Sequence, residues 1–263
     1  MLRYCSLFSG SNGNSTYIGT ADGGILIDAG VSAKRIETAL RERDIDPKSI
    51  RAVLVTHEHS DHVAGLPVLC KRYGWPVLAS EGTLDALVEA DKLSADGKLY
   101  VLEDDRTVAV AGFGVTPFAT PHDSRHCLGF RVDGANRSVA VATDMGFLSD
   151  SVMRHLPGCQ LIHIESNHDR EMLRCGPYPY TLKCRIQGEG GHLSNDDCAA
   201  VLPQLVAAGA TRLALAHLSE HNNTPALAEQ TATAALAAAG LRVGQDCLLW
   251  AATTVGDRPV TYF

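Results

Sequence analysis

Apolar positions along the chain come in short runs whose period changes from strand-like to helical and back. "LRYCSLF", "STYIGT" and "GGILIDA" are brief, turn-punctuated and β-like, with the Gly/Ser/Asn stretch "SGSNGNS" between the first two. After Ser32, which is placed as an N-cap, "AKRIETALRER" has helical spacing, and "RAVLV" reads as a buried strand. Next come "AGLPVLCKRY" (helix), "WPVLAS" (strand) and "GTLDALVEA" (helix), then four strand-like runs, "KLYVL", "VTPFAT", "LGFRVD" and "SVAVAT". "CQLIHIES" and "RLALAHL" are two further buried strands, while "NDDCAAVLPQLVAAG" and "TPALAEQTATAALAAAG" are helices. Two sets of strands, each with helices outside them, predict an α/β architecture in which two sheets pack face to face beneath outer helical layers. With no low-complexity tract, long linker or short repeat, residues 1–263 read as one domain built from two αβ halves.

Composition narrows the class. At 263 residues and 45% hydrophobic, the chain can bury a sizeable core. No apolar run approaches the roughly 20 residues needed to span a bilayer, and the first thirty residues lack the features of a secretory leader, so a cytoplasmic protein with no membrane partner is expected. The eight cysteines include no CxxC pair, which argues against a zinc ribbon or a thioredoxin-like motif and for reduced thiols. A net charge of −7 offers no global attraction for a polyanion, so any such substrate must be held by local basic residues.

Candidate chemistry concentrates in residues 56–62, "THEHSDH", directly after a strand-like run. His57 and His59 are two apart and would point the same way on an extended segment, with Asp61 following them and His62 opening the next helix. Neutral imidazole and carboxylate are transition-metal ligands, and one turn supplies more of them than a single tetrahedral site takes from contiguous chain, which suggests two adjacent ions.

"THEHSDH" resembles the HxHxDH signature of the metallo-β-lactamase superfamily, and "ATPHD", "VATDMG" and "LAHLSEHNN" supply His122, Asp144 and His217 in that superfamily's order. The resemblance implies its four-layer αβ/βα sandwich. It also implies a site in which His57, His59 and His122 hold one divalent ion, Asp61, His62 and His217 a second, and Asp144 bridges them. Zinc, manganese and iron all suit such ligands, and metal-bound hydroxide is the expected nucleophile. Members that hydrolyse β-lactams typically carry cysteine where this chain has Asp144, so phosphodiesters are the better-matched substrates. "LIHIESNHD" and "GGHLSN" look like the stretch of tRNA 3′-processing nucleases in which a glutamate orients a non-ligand histidine that protonates the leaving alkoxide. Glu165 and His192 would be that pair, with Asp61 as a further catalytic carboxylate. A structural reading, with His192 capping the next helix and Glu165 in an ion pair, stands beside it, and His168 is a further candidate for the same surroundings.

The His122 to Asp144 interval is too short for the long arm of the tRNA-processing enzymes, and the Asp144 to His192 interval lacks the inserted domain of the β-CASP nucleases. "SLFSGSNGNSTYI", "VTHEHSDHVAGL", "GPYPYTLKCRI" and "LAHLSEHNNTP" resemble the bacterial YycJ/WalJ-like (VicX-like) group, described as 5′-to-3′ exonucleases on double-stranded DNA. The resemblance implies a metal-dependent nuclease acting on DNA. The alternatives are a hydrolase of a small phosphodiester or thioester, and a metal-stapled regulatory protein of a signalling system. "NHDREMLRCGPYPYTLKCRI" reads either as a substrate flap, with Arg170, Arg174, Lys183 and Arg185 meeting phosphates and Tyr178 or Tyr180 stacking a base, or as a helical cover. "SGSNGNS" reads either as a tight turn or as a nest of N–H groups for an anion.

Overall fold

A computed structural model of the protein describes residues 1–253 and 259–263. Among them, β1 (Arg3–Phe8), β2 (Ser15–Thr20), β3 (Gly23–Ile27), β4 (Ile50–Leu54), β5 (Val77–Ala79), β6 (Leu99–Val101) and the C-terminal β14 (Thr261–Tyr262) form one sheet in the order β14-β1-β2-β3-β4-β5-β6. The second sheet contains β7 (Val108–Val110), β8 (Phe113–Ala119), β9 (Leu128–Gly134), β10 (Arg137–Ala142), β11 (Leu161–Glu165), β12 (Arg212–Ala216) and β13 (Leu248–Ala251), in the order β13-β12-β11-β10-β9-β8-β7. Each sheet begins as an antiparallel meander and continues as parallel strands, from β3 onward in the first and from β10 onward in the second.

The central strands read as nearly unbroken apolar runs because both of their faces are buried, whereas the edge strands β6, β7, β13 and β14 are partly exposed. Side-chain alternation divides each strand between two cores. Tyr4, Ile25, Ile27 and Leu54 face the second sheet and meet Phe130, Val139, Val141 and Leu161. Their neighbours Cys5, Leu7, Leu26 and Val53 face outward onto α1 (Ala33–Arg41), α3 (Leu66–Tyr73) and α4 (Glu81–Glu89). Ala140, Ala142, Ile162 and Ile164 likewise face α5 (Asp150–His155), α8 (Asn195–Ala207) and α9 (Pro225–Ala238). The result is the four-layer αβ/βα sandwich. Each fully buried Leu, Ile or Phe contributes about 1.5–3 kcal/mol, so the alternation itself fixes strand register.

The structure adds β7, β13, β14 and α5 to the elements expected from the pattern, all short and locally weak in period. Ser32 lies at the N-cap of α1 but makes no side-chain capping bond. Ser80, Ser149, Ser194 and Thr224 do cap their helices, each accepting from a backbone N–H three residues on. Residues 170–187 form two helices, α6 (Arg170–Cys175) and α7 (Tyr180–Gln187), across the C-terminal ends of the second sheet's strands. No helix among the described residues is long and apolar enough to cross a membrane.

Candidate metal centre and active site

The metal-capable side chains converge where strands of both sheets end. His57 and His59 follow β4, His122 follows β8, Asp144 follows β10, Glu165 closes β11 and His217 follows β12. Asp28, Asp144 and His217 have φ of 63°, 59° and 55°, so these non-glycine residues turn sharply out of their strands in the left-handed region. Such strain, of order 1–3 kcal/mol each, persists where the surrounding contacts over-determine it. Asp61 and His62 belong to the one-turn helix α2 (Ser60–Val63) rather than to an extended segment, so helical geometry, not strand alternation, presents Asp61. Gly30 lets the loop after β3 lie against that helix, since a Cβ there would come within 1.6 Å of the Asp61 carbonyl oxygen.

The donors form four overlapping groups, two of which, His57 with His62 and Asp144, and Asp144 with Glu165, His192 and His217, share Asp144. His57, His59 and His122 each offer a donor atom within 4.8 Å of the others, as do Asp61, His62 and His217. Asp144 lies between the sets, with Oδ1 3.8 Å from His122 Nε2 and Oδ2 3.5 Å from His62 Nε2. Burial opposes ionisation of Asp144, yet His217, His62, His57 and His122 outweigh it and hold its carboxyl well below the usual range. Burial likewise disfavours the charged form of His217, but Asp144, Asp61 and Glu165 raise it to about 10.

Partners on the far side of the rings orient the imidazoles. His122 Nδ1 donates to the Gly191 carbonyl at 3.1 Å, His62 Nδ1 to Asp28 at 2.8 Å and His217 Nδ1 to Glu165 at 2.8 Å, an assignment that follows from the acceptors, so that a cation displacing the Nε2 proton would meet a lone pair facing the centre. His57 Nε2, His217 Nε2 and Asp144 Oδ2 are buried and have no hydrogen-bond partner. Unpaired buried polar atoms cost about 1–3 kcal/mol each, and these three all belong to the overlapping donor groups, which fits a cation-binding centre. Imidazole and carboxylate donors suit a divalent transition ion.

Glu165 does more than the sequence indicated. Its Oε1 accepts from both His192 Nδ1 and His217 Nδ1 at 2.8 Å, and its Oε2 accepts from the backbone N–H groups of Met145 and Leu193 at 2.9 and 3.1 Å. Four donors hold this fully buried carboxylate; burial raises its pKa, but His192 and His217 bring it down to about 2. His192 therefore stands beside the metal-capable set on a fixed support, and Ser194 rather than His192 caps α8. Sequence reasoning missed Asp28, which accepts from Thr56 N–H, the Thr56 hydroxyl and His62, and Asn14, whose amide lies 3.1 Å from His62 Nε2. The signal for Asp28 was present: an acidic residue ends the apolar run "GGILID".

Basic residues of the 170–187 segment divide. Arg185 lines the cleft of about 220 Å³ over the centre and pairs with Asp123, next to His122. Arg170 Nη2 donates to both carboxylate oxygens of Asp197 at 2.7 Å, and the side chain lines a neighbouring cavity. Arg174 pairs with Glu171, and Lys183 donates to the Arg174 carbonyl; neither lines the cleft. Tyr178 lines the cleft edge-on to His221, whereas Tyr180 is 81% exposed. In "SGSNGNS", the N–H groups of Gly10, Gly13 and Asn14 donate to Asn14 Oδ1, the Gly10 carbonyl and the Asp61 carbonyl, so the tight turn accounts for this loop and those donors do not form an anion nest.

The family model described as "Beta-lactamase superfamily domain" matches residues 24–218. The chain is 36% identical over 249 residues to Exodeoxyribonuclease YycJ of Bacillus anthracis, covering 93% of this chain and 92% of that one. It is 34% identical over 261 residues to Exodeoxyribonuclease WalJ of Streptococcus pneumoniae, covering 98% and 97%. The metallo-beta-lactamase fold protein YhfI from Bacillus subtilis superposes with a TM-score of 0.70 at 16% identity, over 99% of this chain and 98% of that one, a likeness of fold. Together with the converging histidines and carboxylates, these matches show that the chain belongs to the metallo-β-lactamase superfamily and is a metal-dependent hydrolase.

Proposed function

We propose that the protein is a dinuclear phosphodiesterase that degrades double-stranded DNA from its 5′ end. The observation that carries the reading is the juxtaposition of two three-donor sets, joined by Asp144, with a non-ligand histidine held by a buried carboxylate. Its support for DNA as substrate is the similarity to two proteins named exodeoxyribonucleases over more than nine-tenths of the chain. His57, His59 and His122 would hold one divalent ion and Asp61, His62 and His217 the other. When bound, the ions supply Lewis acidity at phosphorus-bound oxygens and make water available as a nucleophile at neutral pH.

The chain's own residues perform the remaining work. Glu165 accepts the Nδ1 proton of His192, fixing the ring so that Nε2 faces the reacting region and can deliver a proton to the departing 3′ oxygen. Asp61, whose side chain is about a quarter exposed, is held against burial well below the usual carboxylate range by His217 and His62, so it stays ionised and serves as an acceptor that orients water in the cleft. Arg185 lies where a phosphate entering the cleft can replace Asp123 as its partner.

The deciding experiment compares linear duplex DNA labelled at the 5′ or 3′ end, closed circular DNA, single-stranded RNA and bis(p-nitrophenyl) phosphate, with manganese and zinc supplied separately. Early release of the 5′ label with closed circles spared is expected. Turnover of the small diester alone would remove the exonuclease reading, and no turnover of any substrate would remove the phosphodiesterase. Elemental analysis of metal-replete protein should give two ions per chain, and fewer than one would sink the dinuclear centre.

A further inference from the structure

His192 lines two cavities. On one side is the metal-capable cleft; on the other is a separate space of about 330 Å³ bordered by His168, Arg170, Gln187, Ser194 and Asp197. This volume lies at the lower end of the ~300–1,000 Å³ typical of small-molecule sites. His168 is 2% exposed, and its Nδ1 is buried with no hydrogen-bond partner. A backbone bond from Asn195 N–H to the His168 carbonyl and a bridge between His168 and Ser194 fix the residue against the start of α8. Burial lowers the His168 pKa to about 4, so the ring is a neutral imidazole with one donor and one acceptor.

Charge at this cavity is already paired. Arg170 Nη2 donates to both carboxylate oxygens of Asp197 at 2.7 Å, with Asp196 3.7 Å from its Nε, and the side chain is about half exposed at the cavity edge, where a terminal phosphate can share it. What remains is neutral hydrogen-bonding capacity from His168 and Gln187, since the Ser194 hydroxyl is engaged with Asp197 and Arg170. These surroundings suit an uncharged polar ring system that carries an anionic group at the Arg170 edge.

We propose that this cavity is the leaving-group subsite and holds the single nucleoside whose 3′ oxygen His192 protonates, with His168 and Gln187 as its polar contacts. The inference rests on the phosphodiesterase reading above. In the step, oxygen from water bonds to phosphorus, the P–O3′ bond breaks with its electron pair passing to O3′, and that oxygen takes the proton from His192 Nε2. A space for one nucleoside makes the departing unit a single terminal nucleotide. Because that unit leaves through its own O3′, it lies at the 5′ end of the strand, and the remaining strand keeps a 5′ phosphate. The subsite thus selects the direction of degradation.

Two substrates with the same phosphoryl side separate the possibilities: pTpT, which departs through a nucleoside O3′, and thymidine 5′-(4-nitrophenyl phosphate), which departs as nitrophenolate. His168→Ala and Gln187→Trp, the second adding bulk from an exposed helix end, should each lower the ratio of kcat/KM for pTpT to that for the ester at least tenfold, mainly through KM. Thymidine alone should bind the metal-free protein in saturation-transfer NMR, with weaker transfer in both variants. A ratio within twofold of the parent in both variants, a loss confined to kcat, or absence of thymidine binding would overturn the subsite while leaving the phosphodiesterase intact. A parent enzyme that turns over the ester but not pTpT would also overturn the subsite alone, and one that turns over neither would remove the phosphodiesterase reading and the subsite with it.

Discussion

His192, held by Glu165, and Asp28, bonded to His62, have separable roles. His192→Ala removes the proton donor while leaving every proposed ligand in place. Metal content should be retained, and turnover of DNA should fall by roughly 100- to 10,000-fold. Bis(p-nitrophenyl) phosphate, whose leaving group needs no proton, should lose far less, and equal losses on both substrates would reassign His192 to a structural role. Asp28 instead anchors His62 through Nδ1 and holds Thr56 through two further bonds. Asp28→Asn tolerates the φ of 63° but replaces a carboxylate with a weaker acceptor. Metal affinity, read by competition with a chromophoric chelator, should drop about 10- to 100-fold; unchanged affinity would show that Asp28 does not support the ligand.

At the level of elements, α7 is tied across the cleft by the partly exposed Arg185–Asp123 pair. Such a pair contributes about 1 kcal/mol or less to stability, so Arg185→Ala should fold normally. If a substrate phosphate takes the place of Asp123, a charged hydrogen bond of about 1.5–3 kcal/mol is lost, and kcat/KM on DNA should fall roughly 10- to 100-fold. The slope of log activity against log salt should also become shallower by about one. A normal salt slope in the variant would remove Arg185 from substrate contact. The strands around the site were legible in the chain because burial on both faces makes their apolar runs continuous. The helices α5 and α6 were harder to read because one or two turns carry too little period to register.

For the whole molecule, the two sheets are joined by a buried polar pair, Tyr4 of β1 and His163 of β11, with Tyr4 Oη 2.6 Å from His163 Nδ1. Burial, and secondarily His217, depress the His163 pKa to about 3. Below the unfolded value of about 6.5, the unfolded chain binds a proton that the folded chain refuses, so this group costs stability as pH falls from 6.5 toward 3 and costs nothing above that window. Replacing both partners with apolar residues, as in Tyr4→Phe/His163→Leu, should be nearly neutral at pH 7 and flatten the acid slope. Denaturant midpoints of the metal-free protein at pH 7 and 4.5 test this. An unchanged difference between the two pH values would show that His163 is not a source of acid sensitivity.

The chain by itself determined the layered architecture, because apolar alternation sets which elements form; the proposed ligand set came from the resemblance of "THEHSDH", His122, Asp144 and His217, each just beyond a strand-like run, to the superfamily's signature. Only tertiary structure decided the supporting contacts. Asp28 is 34 positions from His62, and Glu165 is 52 from His217, separations across which no periodicity speaks. Likewise, Arg170, Arg174, Lys183 and Arg185 look alike as basic residues of one segment, yet their different carboxylate and carbonyl partners leave only Arg185 over the cleft and turn Arg170 toward a second cavity. Charge in a sequence is a count; what each charge can bind depends on which neighbours the fold has already brought to it.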